Sequence, residues 1–229
     1  MKLGADKKQN SFKNFFAPAL RPLPFAVKHL VDFVMAKLLL HVCCGPCTTA
    51  TLEWMRREVA REVTGFFYNP NIHPEAEYLL RRAAMAKVGE VMELPLVWAG
   101  EEQRLAEYLH AVVFGELSRC QTCYMMRLAQ AAQQAAANNY DAFSTTLLIS
   151  PYQNLDVIKI IGEALSKQWG PDFVFRDLRH IFPRSRQLAK EWGLYRQKYC
   201  GCVFSEMERE KKKSQRLSVL ESQGRETEL

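Results

Sequence analysis

Leu38-Leu39-Leu40-His41-Val42-Cys43-Cys44-Gly45-Pro46-Cys47 is the stretch on which the reading of this chain turns. The apolar run over residues 38–42, bounded by turn residues, predicts a strand buried on both faces. Helical spacing with charged exposed positions then runs from Thr48 to about Glu62. Two cysteines therefore sit directly after a strand, and a third stands at the edge of the following helix.

The same alternation continues outward. Val63–Tyr68, Leu94–Trp98, Asp141–Thr146 and Phe173–Phe175 read as further strands. Between them, helices are expected from Pro74 to about Val91, over 101–114 and 121–137, and from Asn154 to Gln168 before Gly170. Ser185–Trp192 reads as a short helix, and the tail from Glu206 as helical, then frayed. Strand–helix alternation predicts an α/β fold: one domain with a parallel sheet flanked by helices, Rossmann-like and doubly wound. It leaves strand order open. In such folds ligands gather at the carboxyl ends of strands, which is where Cys43 and Cys44 fall.

Composition narrows the class. The 229 residues are 48% hydrophobic and 24% charged, enough for one sizeable core. No stretch approaches the roughly 18 uninterrupted apolar residues of a membrane helix, so no membrane partner is expected. No secretory signal is visible, and the expected compartment is the cytoplasm. Residues 1–36 carry Pro18, Pro22 and Pro24 without strong periodicity. They read as an extension, either a real arm or residues ahead of a true start at Met35. The net charge of +6 is uneven: residues 176–216 hold twelve Lys/Arg against five Asp/Glu. That excess fits either a phosphate-backbone footprint or a solvated charged tail.

The seven cysteines form three clusters: Cys43-Cys44-Gly45-Pro46-Cys47, Cys120-Gln121-Thr122-Cys123 and Cys200-Gly201-Cys202. An odd number argues against a purely disulfide-stapled secreted domain. Clustering argues against scattered core thiols and for metal or redox chemistry. Three readings stay open. Cys44-Gly45-Pro46-Cys47 is a thioredoxin-type dithiol motif, but that leaves the other clusters unexplained. Cys44/Cys47 with Cys120/Cys123 can form a zinc site, leaving Cys43, Cys200 and Cys202 idle. An iron–sulfur cluster, wider than one zinc ion, accepts thiolates from a bent loop carrying adjacent cysteines.

Blocks around the cysteines add a resemblance. His41–Cys47 is followed by Phe67-Tyr68-Asn69-Pro70-Asn71-Ile72-His73-Pro74 with Glu77-Tyr78. Then come Cys120-Gln121-Thr122-Cys123-Tyr124 with Arg127-Leu128, and Ser144–Gln153. Last are Leu188-Ala189-Lys190-Glu191 and Leu194-Tyr195-Arg196-Gln197-Lys198-Tyr199-Cys200-Gly201-Cys202-Val203-Phe204-Ser205. In this order the blocks resemble the QueH-type epoxyqueuosine reductases over about 37–205. The resemblance makes 37–205 a catalytic iron–sulfur domain, with the extension before it and a charged tail, 206–229, after it.

The resemblance implies two-electron reduction of the epoxide of epoxyqueuosine to queuosine at the wobble base of tRNA. It implies a [4Fe-4S] cluster held by Cys43, Cys44, Cys120 and Cys123, with Cys200 and Cys202 as a redox-active pair or as ligands of an adjacent mononuclear iron. Cys47 is a possible additional ligand without a fixed role. The electron donor would be external, ferredoxin- or flavodoxin-like. Loss of the epoxide oxygen needs protons; Tyr68, His73 and Tyr152 are candidate donors, and Asn69 a substrate or loop-shaping candidate. His41, in a buried strand, reads as a core hydrogen-bonder. Arg184, Arg186, Arg196 and Lys198 are candidate tRNA-binding residues, since clustered bases neutralise phosphates and Arg stacks on unpaired bases.

Overall fold

The computed structural model describes residues 35–100 and 105–226. The extension read at 1–36 lies outside them except for Met35 and Ala36. Those two open β1 (Met35–His41), whose Leu38, Leu39 and Leu40 are fully buried. Both faces of β1 are covered, as a continuous apolar run requires.

The elements follow in the expected alternation. They are α1 (Gly45–Glu58), β2 (Ala60–Phe67), α2 (Glu75–Val91), β3 (Leu96–Trp98), α3 (Leu105–Phe114) and α4 (Arg119–Ala137). Then come β4 (Ala142–Thr145), α5 (Leu155–Trp169), β5 (Asp172–Phe173), α6 (Phe182–Glu191) and α7 (Val203–Glu226). Helix α1 starts three residues before the sequence reading. Pro46 fits a first helical turn, where its missing N–H would be unbonded anyway. It also ends earlier, because Ala60 already pairs with Met35 and β2 must begin there.

All pairings are parallel and the order is β3-β2-β1-β4-β5. This is the doubly wound arrangement, with its reversal between β1 and β4. Helices α1, α2 and α6 pack as one group and α4 and α5 as another, which right-handed crossovers place on opposite faces. Leu128, Ala131, Ala132 and Ala135 present a fully buried stripe on α4 at helical spacing. The small alanines let that helix approach β1 closely. No helix among the described residues is long and apolar enough to cross a membrane.

A cysteine centre at the strand reversal

The crevice at the reversal is built from the residues just past β1 and β4. The Cys43 backbone N–H donates to Thr146 Oγ1 at 3.1 Å, tying the two strand ends together. Cys44 is the N-cap of α1, and Cys47 lies in its first turn. A Cβ on Gly45 would meet the Ala84 carbonyl oxygen at 2.6 Å, so only glycine lets this helix start pack so closely on α2. The result is a buried triplet: the Sγ atoms of Cys43, Cys44 and Cys47 lie within 4.8 Å of one another.

That crowding sets the electrostatics. Hydrogen bonds from Cys44 and Cys47 hold the Cys43 thiol well below its ordinary range. Cys44, which donates to Cys43, is pushed up to about 12. Cys47 rises for the same reason and from burial. One thiolate forms easily, and two more form only if a cation enters between them. Thr146 Oγ1 lies 3.3 Å from Cys43 Sγ, and Gln197 Nε2 donates to Cys44 Sγ at 3.0 Å. Polar hydrogens are thus already aimed at the sulfurs.

A cluster of buried polar side chains adjoins the triplet. His41 Nε2 faces the Tyr68 carbonyl, an acceptor only, at 3.1 Å, so Nε2 carries the proton and Nδ1 accepts from Thr145 Oγ1 at 2.9 Å. Burial lowers the His41 pKa to about 4 and keeps the ring neutral. Asn69 Nδ2 donates to the Val42 carbonyl at 3.0 Å. Arg127, 2% exposed, is held by two hydrogen bonds to Asn71 Oδ1, at 3.1 and 2.9 Å. Among the described residues it has no acidic partner. Asn71 Nδ2 makes no hydrogen bond of normal geometry. A buried guanidinium without an acid, and a buried Asn71 amide with no better acceptor than the nearby Cys123 sulfur, both suit an anion. Three converging thiols ask for a cation. A thiolate-bound iron–sulfur cluster, cationic iron within a net anion, satisfies both, so these residues fit such a group.

The other two cysteine clusters also sit at helix N-termini, where the backbone favours a thiolate. A capping box between Ser118 and Gln121 fixes the start of α4, placing Cys120 and Cys123 in its first two turns. Burial raises the Cys123 thiol, and Arg127 and the Asn71 amide pull it back. Cys200 and Cys202 precede α7. A hydrogen bond from Cys200 lowers Cys202 to about 4 and correspondingly raises Cys200. The fully buried Tyr108 donates its hydroxyl to the Arg119 carbonyl at 3.2 Å, and burial together with the nearby Cys202, Cys123 and Cys120 pushes its own pKa up. So the second and third clusters share one electrostatic neighbourhood, and Arg127 acts on both Cys43 and Cys123.

Long-range clamps hold the third cluster. Arg81, 1% exposed, pairs with buried Glu77 at 2.7 Å and donates to the carbonyls of Tyr199 and Cys200 at 3.0 Å each. Tyr195 Oη donates to the other Glu77 oxygen. Gly201 has φ +118, and a Cβ there would lie 2.9 Å from the Arg81 guanidinium. The His73 N–H donates to the Gly201 carbonyl at 2.8 Å.

A cavity of about 750 Å³ opens over the triplet. Cys43, Cys47, Arg127 and Arg81 line it, as do Gln197, Lys198, Tyr199 and Cys200 on the third-cluster side. Tyr152, 82% exposed, and Phe182 stand at its wall with ring centroids 6.5 Å apart.

The sequence candidates distribute unevenly around this cavity. Cys47, read from the sequence as an additional ligand without a fixed place, joins Cys43 and Cys44 in the converging group, whereas Cys120 and Cys123 lie outside that 4.8 Å group. Tyr152 and Lys198 line the cavity. Tyr68 is buried and stacks on Phe66, and Asn69 is fully buried. His73 meets Glu206 at 3.0 Å. Arg184 pairs with Glu53 at 3.4 Å on the exposed face of α6, and Arg186 and Arg196 are exposed. Arg81, Thr146 and Gln197 received no role from the sequence. Arg127 had one legible sign: it lies four residues after Cys123, on the same face of α4.

A doubly wound α/β fold with a buried thiol centre at its reversal point defines a class of protein, one equipped for metal or redox chemistry. The comparison with known proteins then fixes the family. A family model described as "Epoxyqueuosine reductase QueH" matches residues 38–208. A relative named epoxyqueuosine reductase QueH from Dehalococcoides mccartyi is 42% identical over 173 residues, covering 76% of this chain and 94% of its own. One of the same name from Thermotoga maritima is 39% identical over 187 residues, covering 78% and 94%. The chain belongs to the QueH epoxyqueuosine reductase family.

Proposed function

We propose that this protein reduces the epoxide of epoxyqueuosine in tRNA to the alkene of queuosine. The observation that carries this reading is the single cavity bounded by the Cys43/Cys47 floor and the Cys200 edge, in a chain of this family. Cys43 and Cys44 hold a [4Fe-4S] cluster together with Cys120 and Cys123, and Cys47 serves as an additional thiolate for the cluster or for an adjacent iron. When bound, the cluster supplies electrons one at a time and iron supplies Lewis acidity.

The chain's own residues do the rest. Arg127 balances the negative charge of the centre, and Gln197 and Thr146 fix the orientation of the cysteine sulfurs. Removing the epoxide oxygen takes two electrons and two protons and releases water. The Cys200 and Cys202 thiols can deliver both: each loses a proton and an electron, and an S–S bond forms. An external ferredoxin- or flavodoxin-like protein then returns two electrons, with two protons from solvent. Tyr152 and Phe182 offer aromatic faces to a wobble base turned out of its stack. Tyr152 is also the proton-donor candidate on the cavity wall, and Lys198 takes phosphate charge; Arg184, Arg186 and Arg196 are more distant candidates for the tRNA.

The test is anaerobic incubation of iron-loaded protein with epoxyqueuosine-containing tRNA and a strong reductant, followed by nucleoside analysis. Queuosine is the expected product, and its absence with fully loaded protein overturns the proposal. Protein that purifies colourless with zinc points instead to a zinc-stabilised nucleic-acid-binding protein. Metal-free protein that reduces general disulfides points to a thiol–disulfide oxidoreductase.

A further inference from the structure

The far wall of the cavity comes from α7. Arg209, Lys212, Lys213 and Arg216 all line it. Their spacing is i, i+3, i+4, i+7, one face of a helix, and spans about 10 Å of axis at 1.5 Å per residue. Lys212 and Lys213 follow Lys211, which lies on the same helix but not on the cavity. Arg209 pairs with Glu210 at 3.3 Å and lies over the Tyr199 ring. Lys212, Lys213 and Arg216 are exposed and have no ion pair with any described residue. Like charges at these spacings repel and destabilise a free helix. The cavity also holds Lys198, while Arg81 is met by Glu77 and the lining carboxylate Glu208 is met by Arg119, so the unpaired charge of the stripe suits an occupant carrying several negative charges. All four residues of the stripe also lie past residue 208, where the family match stops.

We propose that Arg209, Lys212, Lys213 and Arg216 form a phosphate-binding wall, which holds the single-stranded RNA backbone beside the base that enters the cavity. This rests on tRNA being the substrate, and it narrows the 176–216 phosphate footprint offered by the sequence, where Arg184, Arg186, Arg196 and Lys198 were the named candidates, to one face of α7. Tyr152 and Phe182 lie on the same cavity, so aromatic faces for bases accompany the charges for phosphates.

Binding of a fluorescent anticodon stem-loop, titrated across salt concentrations, tests it. Each phosphate contact adds about 0.7 to the slope of log K against log salt for single strands. A Lys212→Gln/Lys213→Gln/Arg216→Gln variant is expected to lose about 2 from that slope and to bind about tenfold more weakly or worse at low salt. Lys211→Gln, which removes one charge on another face, should leave the slope as it is, whereas Lys212→Gln alone should lose about 0.7. The single variants Lys212→Gln and Arg216→Gln repeat the measurement if the triple variant misfolds. Equal effects of Lys211→Gln and Lys212→Gln, or an unchanged slope in the cavity-side variants, overturn the wall. So does a variant that loses binding to phosphatidylserine vesicles but not to RNA. Wild-type protein that binds the stem-loop as described yet makes no queuosine defeats the proposed reaction and leaves the wall standing.

Discussion

The Cys43-Cys44-Cys47 triplet and the Cys200-Cys202 pair reach one cavity, the first through Cys43 and Cys47 and the second through Cys200, but are held there in different ways. The triplet is made by local chain: a buried strand ends, a helix begins, and sulfurs within five residues converge within 4.8 Å. The pair is made by distant side chains. Arg81 reaches across 119 residues to the Cys200 carbonyl, and its charge is met by Glu77 on its own helix. A centre built from consecutive backbone resists perturbation elsewhere. One held by a buried ion pair fails when either ion is removed, because the other is left uncompensated.

Four tests probe that contrast. The largest effect is expected from Cys44→Ala, which should abolish iron binding, while Cys200→Ala should keep the iron and lose queuosine formation. Iron analysis beside nucleoside analysis checks this, and equal iron loss in both variants would erase the distinction. Arg81→Met should cost about 3–5 kcal/mol by stranding buried Glu77, with part regained in Glu77→Gln/Arg81→Met; urea unfolding measures both. The third concerns the polar cluster beside the triplet. His41 has a folded pKa of about 4 against about 6.5 unfolded, so the unfolded chain takes up the proton first as pH falls. Stability should therefore decline between about pH 6.5 and 4, by at most about 3 kcal/mol, and less in His41→Gln. Denaturant midpoints at pH 7 and 5 decide it. The smallest effect is expected from Gly201→Ala, about 1–3 kcal/mol, from a positive φ beside Arg81. Its damage should be local, with faster alkylation of Cys200 in metal-free protein.

Much of the fold was legible because strand burial and helical spacing are short-range patterns. The run 38–42 lies in or next to β1, and the Ala-rich stretch became α4. Boundaries moved where pairing decided them: β2 starts at Ala60 because β1 already starts at Met35. Of the centre, the cysteines were visible through clustering. Arg81, Gln197 and Thr146 were not, since a guanidinium or amide at distant sequence positions carries no local sign of the sulfur or carbonyl it will meet. Arg184 shows the converse. It sits in a basic segment, yet the structure pairs it with Glu53 away from the cavity.

The sequence by itself determined the alternating α/β class, the three thiol clusters and the family, because these rest on residue type and spacing along the chain. Tertiary structure alone decided which cysteines converge, which cation is buried without an acid, and which face of α7 meets the cavity. The physical reason is separation: the Arg81, Arg127 and Gln197 contacts bridge roughly fifty to one hundred and fifty residues. Such groups meet only after the β1/β4 reversal and the packing of the helices have fixed where each strand end lies.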